Sequence, residues 1–252
     1  MSSISIPVDI LRAILEYLDR GDLTKICLLN KICCSCSQDI LYRNIDFPKI
    51  LVYHTLAQST HLARRVRSFT MRGGHPELAK ALRNMTHLRS LTLLCIYDSS
   101  NVLDGCTFSL DTFTCGFSYD KSLRQFLELQ SSITHVSLLA LYKPFESFDS
   151  PCLPNLTRVT APFFLLPHII PGRPVSEVDS IGALRVGDFV DLSYYALSTT
   201  PIRKLTINFL LLYQNRGHIL SSIFPSLAHL NIGINSSLFS LQIVRLLPFI
   251  SC

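Results

Sequence analysis

The sequence lacks long apolar runs, contains little charge and has no tryptophan. Its 252 residues are 48% apolar and 16% charged. Two apolar runs, LTINFLLLY and APFFLLPHII, fall short of the roughly 18 residues that suggest a membrane helix, and Pro167 interrupts the second. We therefore expect a globular chain with a sizeable core and no membrane partner.

The amino-terminal segment lacks the basic residues and the apolar stretch of a secretory signal. Asp9 lies where such a signal would be apolar. The nine cysteines are odd in number and scattered, which favours reduced thiols over a disulfide framework. These features predict a cytoplasmic or nuclear protein.

The net charge of +5 is small for a chain of this length. A nucleic-acid-binding domain more often concentrates basic residues on one face or helix. The only local basic cluster contains Arg64, Arg65, Arg67 and Arg72. The sequence therefore does not favour a nucleic-acid partner, although a basic surface at this cluster stays open as a weaker alternative.

The common enzyme motifs are also missing. The sequence has no G-x-S-x-G elbow, no phosphate-binding glycine loop and no H-E-x-x-H. Cys33 and Cys36 form a C-x-x-C pair, but no second cysteine pair or nearby histidine completes a set of zinc ligands. We predict no catalytic residue, no metal and no cofactor, and we expect these cysteines to pack as small apolar groups.

Three short helical patterns occupy the first 46 residues. Asp22 is the expected cap of the second helix, and a third helical pattern covers residues 37–47. A unit of about 40 residues seldom buries enough surface to fold alone, so we expect some apolar side chains to meet a partner outside it. The first helix carries two adjacent apolar rows, formed by Ile10, Leu11, Ile14, Leu15 and Leu18.

From residue 66 onward the template apolar-x-x-apolar-x-apolar recurs. Between the copies lie helical or irregular returns, at residues 75–85, 119–129 and 217–223. A strand and a return repeated every 20 to 29 residues describe a leucine-rich solenoid. The eight copies, of which the sixth is weak, begin at Val66, Leu88, Leu110, Ile133, Leu156, Val175, Ile202 and Leu227.

Strand periodicity assigns a face to each template position. The fourth and sixth positions, such as Phe69 and Met71, should point into the core, and the third, fifth and seventh should line the concave face. The fifth position is polar throughout, which suits either a solvated strand or a ligand contact. Residues that differ from unit to unit are the candidate target-binding set, namely Arg72, His135, Arg158, Glu177, Asp179, Lys204 and His229.

The amino-terminal segment IPVDILRAILEYLDRGDLTKICLLNK and the later LYRNI resemble the F-box motif. Ile6-Pro7, Asp9-Ile10 and Asp22-Leu23 stand where that motif has its Leu-Pro, acidic-aliphatic and Asp-Leu pairs. With the repeats, the chain resembles an F-box protein with leucine-rich repeats, of the divergent kind found in fungi. The F-box resemblance covers about 40 residues and the repeat resemblance about 170 more.

The resemblance implies a substrate-recognition subunit of an SCF-type cullin ubiquitin ligase. In that family the F-box binds a Skp-type adaptor, the adaptor connects it to a cullin scaffold, and the repeats bind the target protein. Cys33 departs from the family, which often has tryptophan there. An alternative is therefore a repeat scaffold with a decayed F-box and no ligase role. The residues that the resemblance assigns to the adaptor are Pro7, Ile10, Leu11, Ile14, Leu15, Leu18 and Leu23.

The expected fold class is α/β. We predict an all-helical F-box module over residues 1–46, a connecting helix or cap over 47–65, and a solenoid of about eight irregular units over 66–252. Parallel strands would form its concave face, with helices or irregular turns on the convex face. Residues 237–252 are apolar and contain no polar capping unit. We expect either a last helix packed on the eighth unit or a shortened family member.

Overall fold

The computed structural model of the chain describes residues 6–94, 100–117, 119–139, 152–182, 192–208, 223–233 and 240–244. Within these ranges the protein forms one ten-stranded sheet with helices between many of its strands. The strands are β1 (Asn44–Asp46), β2 (Ser68–Met71), β3 (Ser90–Leu93), β4 (Thr112–Cys115), β5 (His135–Leu138), β6 (Arg158–Pro162), β7 (Glu177–Ile181), β8 (Lys204–Asn208), β9 (His229–Gly233) and β10 (Ser240–Val244).

The helices in the described ranges are short. Two 3₁₀ helices accompany them, at Ser100–Leu103 and Ser193–Leu197. The α-helices are α1 (Val8–Leu15), α2 (Arg20–Ile26), α3 (Lys31–Leu41), α4 (Ile50–Gln58), α5 (Thr60–Ala63), α6 (Leu78–Asn84), α7 (Lys121–Glu128) and α8 (Leu166–Ile169). In the part of the chain that the structure describes, no helix has the length and apolarity to cross a membrane.

The strands lie in the sheet in the order in which they occur along the chain. Strands β1 to β9 are parallel to their neighbours, and β10 pairs with β9 in the antiparallel sense. Parallel neighbours need a crossover connection, which the helices and irregular segments between the strands provide. The fold class is therefore α/β, as predicted.

The eight predicted repeat strands are all present. Strands β2 to β9 each begin two residues after the corresponding template start, including β7, whose template match is weak. In β2, Phe69 and Met71 are buried while Ser68 and Thr70 are half-buried, and the same alternation recurs in β3 and β4. This confirms the inward direction predicted for the fourth and sixth template positions.

A repeated backbone pattern connects each strand to the next. The carbonyl of Arg43, just before β1, accepts hydrogen bonds from the amides of Arg67 (2.8 Å) and Ser68 (3.0 Å) at the start of β2. The carbonyl of Arg67 does the same for Arg89 and Ser90, and the pattern continues to β9. Because every strand entry repeats these bonds, equivalent template positions lie side by side across the sheet.

The helical returns are found where the described residues cover them. Helix α6 lies within residues 75–85 and α7 within 119–129. Most of the third predicted return, residues 217–222, lies outside the described residues. Helix α7 is amphipathic and buries Leu123, Phe126 and Leu127 against the sheet core.

Three local predictions were wrong. Helix α3 ends at Leu41, so Ile45 is not part of it. Ile45 lies on β1, which pairs with β2, and its side chain is buried in the main core. Asp19, and not Asp22, caps α2, since its carboxylate accepts from the Asp22 amide at 2.9 Å. Residues 240–244 form a strand, and not part of the last helix that was one of our two expectations for residues 237–252; this strand covers the hydrogen-bonding edge of β9.

Helices α1, α2 and α3 pack around a small core of their own. Its buried members are Leu15, Leu23 and Cys36. The main core extends from Ile45 to Leu230 along the inner face of the sheet. The small core has few members, so the helices that form it have apolar surface left over, and this surface is the first candidate site.

Candidate functional site

One side of α1 presents apolar side chains to solvent. Ile10 is 54% exposed and Ile14, one turn further on, is 49% exposed. Ile6, Val8 and Tyr17 are exposed as well. Monomeric proteins rarely leave neighbouring large apolar residues in water without a function, so this surface is a candidate protein contact. We call Ile6, Ile10 and Ile14 the α1 ridge.

The structure divides the two apolar rows of α1 between different roles. Leu15 is 2% exposed and lies with Leu23 in the small core, and Leu11 and Leu18 pack against that core. Pro7, Ile10 and Ile14 are exposed. Of the predicted adaptor-binding residues, these last three are therefore available for direct contact. Leu15 and Leu23 can act only by holding the helices in position.

A second group of exposed apolar side chains lies at the junction of α2 and α3. Leu28 is 85% exposed, and Leu29 and Ile32 are exposed too. Sequence reasoning did not select these residues as a site. The available signal was the adjacent pair Leu28 and Leu29, two large apolar residues in the turn between α2 and α3.

Five of the predicted target-binding residues form one row across the sheet. The pairing register places His135 beside Arg158, Arg158 beside Glu177, Glu177 beside Lys204 and Lys204 beside His229. Asp179 lies two residues further along β7. We call these six residues the charged row.

The charged row is held together by ion pairs of alternating sign. The Arg158 guanidinium lies 3.6 Å from Glu177 and 3.5 Å from Asp179, and Lys204 Nζ lies 3.8 Å from Glu177. Asp179 also accepts hydrogen bonds from the hydroxyls of Thr160 (3.4 Å) and Thr206 (2.5 Å). Asp179 thus has more polar partners among the described residues than any other member of the row.

The ion pairs of the charged row remain accessible to solvent. The side chains of Arg158 and Glu177 are each 41% exposed. Exposed pairs of this kind contribute about 0–1 kcal/mol to stability, so the row can exchange its internal partners for groups on another protein at little cost. Its mixed charges would select the partner and its orientation more than they would add affinity.

Arg72 does not belong to the charged row. It follows β2, three strands away from β5, and its guanidinium carbon lies 5.6 Å from the centre of the Phe47 ring. Arg67 precedes β2, and the four residues of that strand place the two arginines about 16 Å apart. The basic cluster seen in the sequence is therefore split between opposite ends of one strand.

Of the two thiols of the C-x-x-C pair, Cys36 packs as a small apolar group as predicted, whereas Cys33 is half-buried. Cys33 and Cys36 lie on α3, and Cys36 is buried in the small core. Among the described residues no group of three or more metal-ligating side chains comes together. Burial raises the pKa of the Cys115 thiol to about 12, and burial likewise raises that of Cys106 to about 12, so neither forms a nucleophilic thiolate at neutral pH.

The chain was also compared with known proteins. No protein-family model matches the sequence, and no curated protein is significantly similar to it. The argument for function therefore depends on the motif residues and on the surfaces described above.

Proposed function

We propose that the protein is the substrate-recognition subunit of an SCF-type cullin ubiquitin ligase. The amino-terminal helices would bind a Skp-type adaptor, and the sheet, as the inner face of a leucine-rich-repeat solenoid, would bind the target protein. The observation that carries this proposal is the α1 ridge. It lies within the segment that resembles the F-box and turns away from the small core that the same helix helps to form.

The α1 ridge can supply useful binding energy. Full burial of an isoleucine side chain is worth about 1.5–3 kcal/mol, and Ile10 and Ile14 retain roughly half of their surface for a partner. Exposed Leu28 and Ile32 add apolar surface in the same three-helix unit. A protein interface commonly has this composition, with a few apolar anchors surrounded by polar residues.

The role proposed for the rest of the chain requires no bond-making chemistry. The sheet would hold a target at a fixed distance from the adaptor, and the charged row would help to choose it. The nine parallel strands keep the row in register, so its charges have fixed spacing along the sheet. A rigid row of alternating charges suits recognition of one partner surface over others.

The direct test is adaptor binding by a ridge variant. We expect the double substitution Ile10→Asp and Ile14→Asp to weaken binding to a purified Skp-type adaptor at least about 100-fold, because it removes two apolar anchors and places charge in the interface. Leu51→Asp is the matched control. Leu51 is also exposed, on α4, so the same change there should leave adaptor binding unaltered.

Circular dichroism of both variants checks that folding is retained, which is expected since the substituted side chains are exposed. Tight adaptor binding by the ridge variant would contradict the proposed interface. Failure of the unsubstituted protein to bind any Skp-type adaptor would favour the alternative, a repeat scaffold with a decayed F-box and no ligase role. The replacement of tryptophan by Cys33 is the feature of the sequence that favours this alternative.

A further inference from the structure

A groove lined almost entirely by basic side chains lies between the amino-terminal helices and the start of the repeat strands. Its volume is about 600 Å³. This value falls within the range of about 300–1,000 Å³ that is usual for small-molecule sites. We call it the arginine groove, and its lining residues are Arg12, Asp39, Arg43, His61, Arg64, Arg65, Arg67 and His87.

Some of these arginines hold the structure together. Asp39, the one acidic residue of the lining, lies 3.2 Å from Arg12 and is also paired with Arg65. Arg65 donates to the Ser35 carbonyl as well, at 2.8 Å. These bonds fasten α3 to the segment after α5. The charge of Asp39 is therefore shared between two arginines and is not available to neutralise the others.

Arg64 and Arg67 are different, because neither has a carboxylate partner among the described residues. Both side chains are exposed on the groove. Arg43, by contrast, is paired with Glu16 at 2.9 Å. The groove thus keeps two guanidinium groups whose charge is balanced by no acidic side chain in the part of the chain that the structure describes.

The backbone holds Arg67 and His87 in position. Arg67 Nη1 donates to the carbonyls of His87 (3.1 Å) and Arg64 (3.3 Å). His87 Nδ1 lies 3.0 Å from the Arg64 carbonyl, which can only accept, so Nδ1 carries a proton. The opposite edge of the Arg67 guanidinium makes no hydrogen bond to the described residues. A donor group fixed in this way loses little side-chain entropy when it binds a ligand.

The basic lining continues into a smaller neighbouring cavity. This cavity has a volume of about 320 Å³ and shares Arg67 and His87 with the arginine groove. It adds Thr107, Ser109, whose hydroxyl is bonded to that of Ser132 at 2.6 Å, and Arg89, which is paired with Asp111 at 3.6 Å. A ligand with two or more anionic groups could therefore place one beside Arg64 and another beyond Arg67.

We propose that the arginine groove binds a small molecule that carries two or more phosphate groups. Guanidinium groups bind phosphate through paired hydrogen bonds, and hydroxyl groups complete such sites. A nucleic acid fits less well, because its backbone needs a continuous basic track. The track is interrupted here, since the acidic Asp111 lies beside Arg89 and Arg72 lies at the other end of β2. This inference does not depend on the ligase proposal.

The test is calorimetric titration of the full chain with inorganic tripolyphosphate. We expect one site, binding at least about ten times tighter than that of orthophosphate, and weaker binding as salt is raised. The double substitution Arg64→Gln and Arg67→Gln should reduce affinity by about tenfold for each guanidinium removed. Arg203→Gln is the matched control, because Arg203 is exposed and precedes β8 as Arg67 precedes β2.

The single substitution Arg64→Gln keeps the test valid if the double variant melts early, since of these two arginines it is Arg67 whose side chain donates to backbone carbonyls. Equal losses in the Arg203 control and the Arg64 variant would overturn the proposal, as would the absence of tripolyphosphate binding. A single-stranded RNA oligonucleotide that binds more tightly than tripolyphosphate and loses affinity in the same variants would also overturn it, in favour of nucleic acid.

Discussion

Gln130 makes the clearest prediction about the stability of the sheet. It follows α7 and is 4% exposed. Its side-chain oxygen accepts from the Leu110 amide at 2.9 Å, and its side-chain nitrogen donates to the Phe108 carbonyl at 3.1 Å. One amide group thus satisfies two buried backbone groups on the segment that leads into β4.

The substitution Gln130→Ala should be costly because it leaves both backbone groups without this partner. A buried polar group that loses its hydrogen bond costs about 1–3 kcal/mol. Two such groups, with some relief from water entry, predict a loss of about 2–4 kcal/mol in the free energy of unfolding. For a chain of this size that loss lowers the midpoint of thermal unfolding by about 5–15 °C.

Thermal unfolding followed by circular dichroism measures the effect, and hydrogen exchange at the Leu110 amide localises it. Gln125→Ala is the control, because Gln125 is exposed on α7 and its replacement should change stability by less than about 0.5 kcal/mol. A Gln130→Ala protein that melts within about 1 °C of the unsubstituted protein would refute the reasoning.

The substitution Gln130→Glu should make one of the two hydrogen bonds, the one donated to the Phe108 carbonyl, depend on pH. Burial raises the pKa of the introduced carboxyl group above its ordinary value, because the charged form loses hydration. The protonated form can still donate to the Phe108 carbonyl, whereas the ionised form cannot. A group whose pKa is higher in the folded state is most favourable at low pH, so this variant should regain stability relative to the unsubstituted protein as pH falls from about 8 to 5. A pH-independent difference would contradict this.

Two further predictions concern other parts of the molecule. Leu15→Ala should destabilise the three amino-terminal helices by about 2–5 kcal/mol, because Leu15 is buried in their small core, and limited proteolysis should then cleave them sooner than the sheet. Equal cleavage rates before and after the change would contradict this. In maleimide labelling at pH 7, Cys33 should react in the native state and Cys115 only after unfolding, since Cys33 is half-buried and Cys115 is buried with a pKa raised to about 12. Rapid native labelling of Cys115 would be inconsistent with its position on β4.

The regular part of the fold was predictable because it repeats. Apolar residues two positions apart identify the inner face of a strand, and the near-constant spacing of these pairs identified β2 to β9. Strand β7 forms where it was predicted, although its template match is weak. Its neighbours β6 and β8 provide hydrogen-bonding partners on both sides. Helices α6 and α7 followed from the change in apolar spacing.

The irregular ends were harder to predict. Ile45 follows α3 closely, and a short apolar segment has no length from which to tell helix from strand. Two aspartates compete as the cap of α2, and only the backbone geometry selects Asp19. The strand β10 owes its place to the free edge of β9, which sequence periodicity does not reveal. The exposure of Leu241, Val244 and Leu247 would distinguish a packed last helix from a shortened family member; Leu247 and the side chains of the other two lie outside the described residues.

The candidate sites were only partly predictable. Spacing showed two apolar rows on α1, but the choice between Ile10 outside and Leu15 inside depends on where α2 and α3 pack. The charged row was predictable, because equal template positions are neighbours in a parallel register. The arginine groove was not, because its residues come from several elements that only the folded chain brings together.

The central claim is that the α1 ridge is shaped for a second polypeptide. The most direct measurement is calorimetric titration of the unsubstituted chain with a purified Skp-type adaptor at several temperatures. The account predicts one-to-one binding with a negative change in heat capacity, because burial of apolar residues such as Ile10 and Ile14 has that signature. No heat of binding at any of these temperatures at adaptor concentrations up to about 0.1 mM, with the chain folded by circular dichroism, would contradict it.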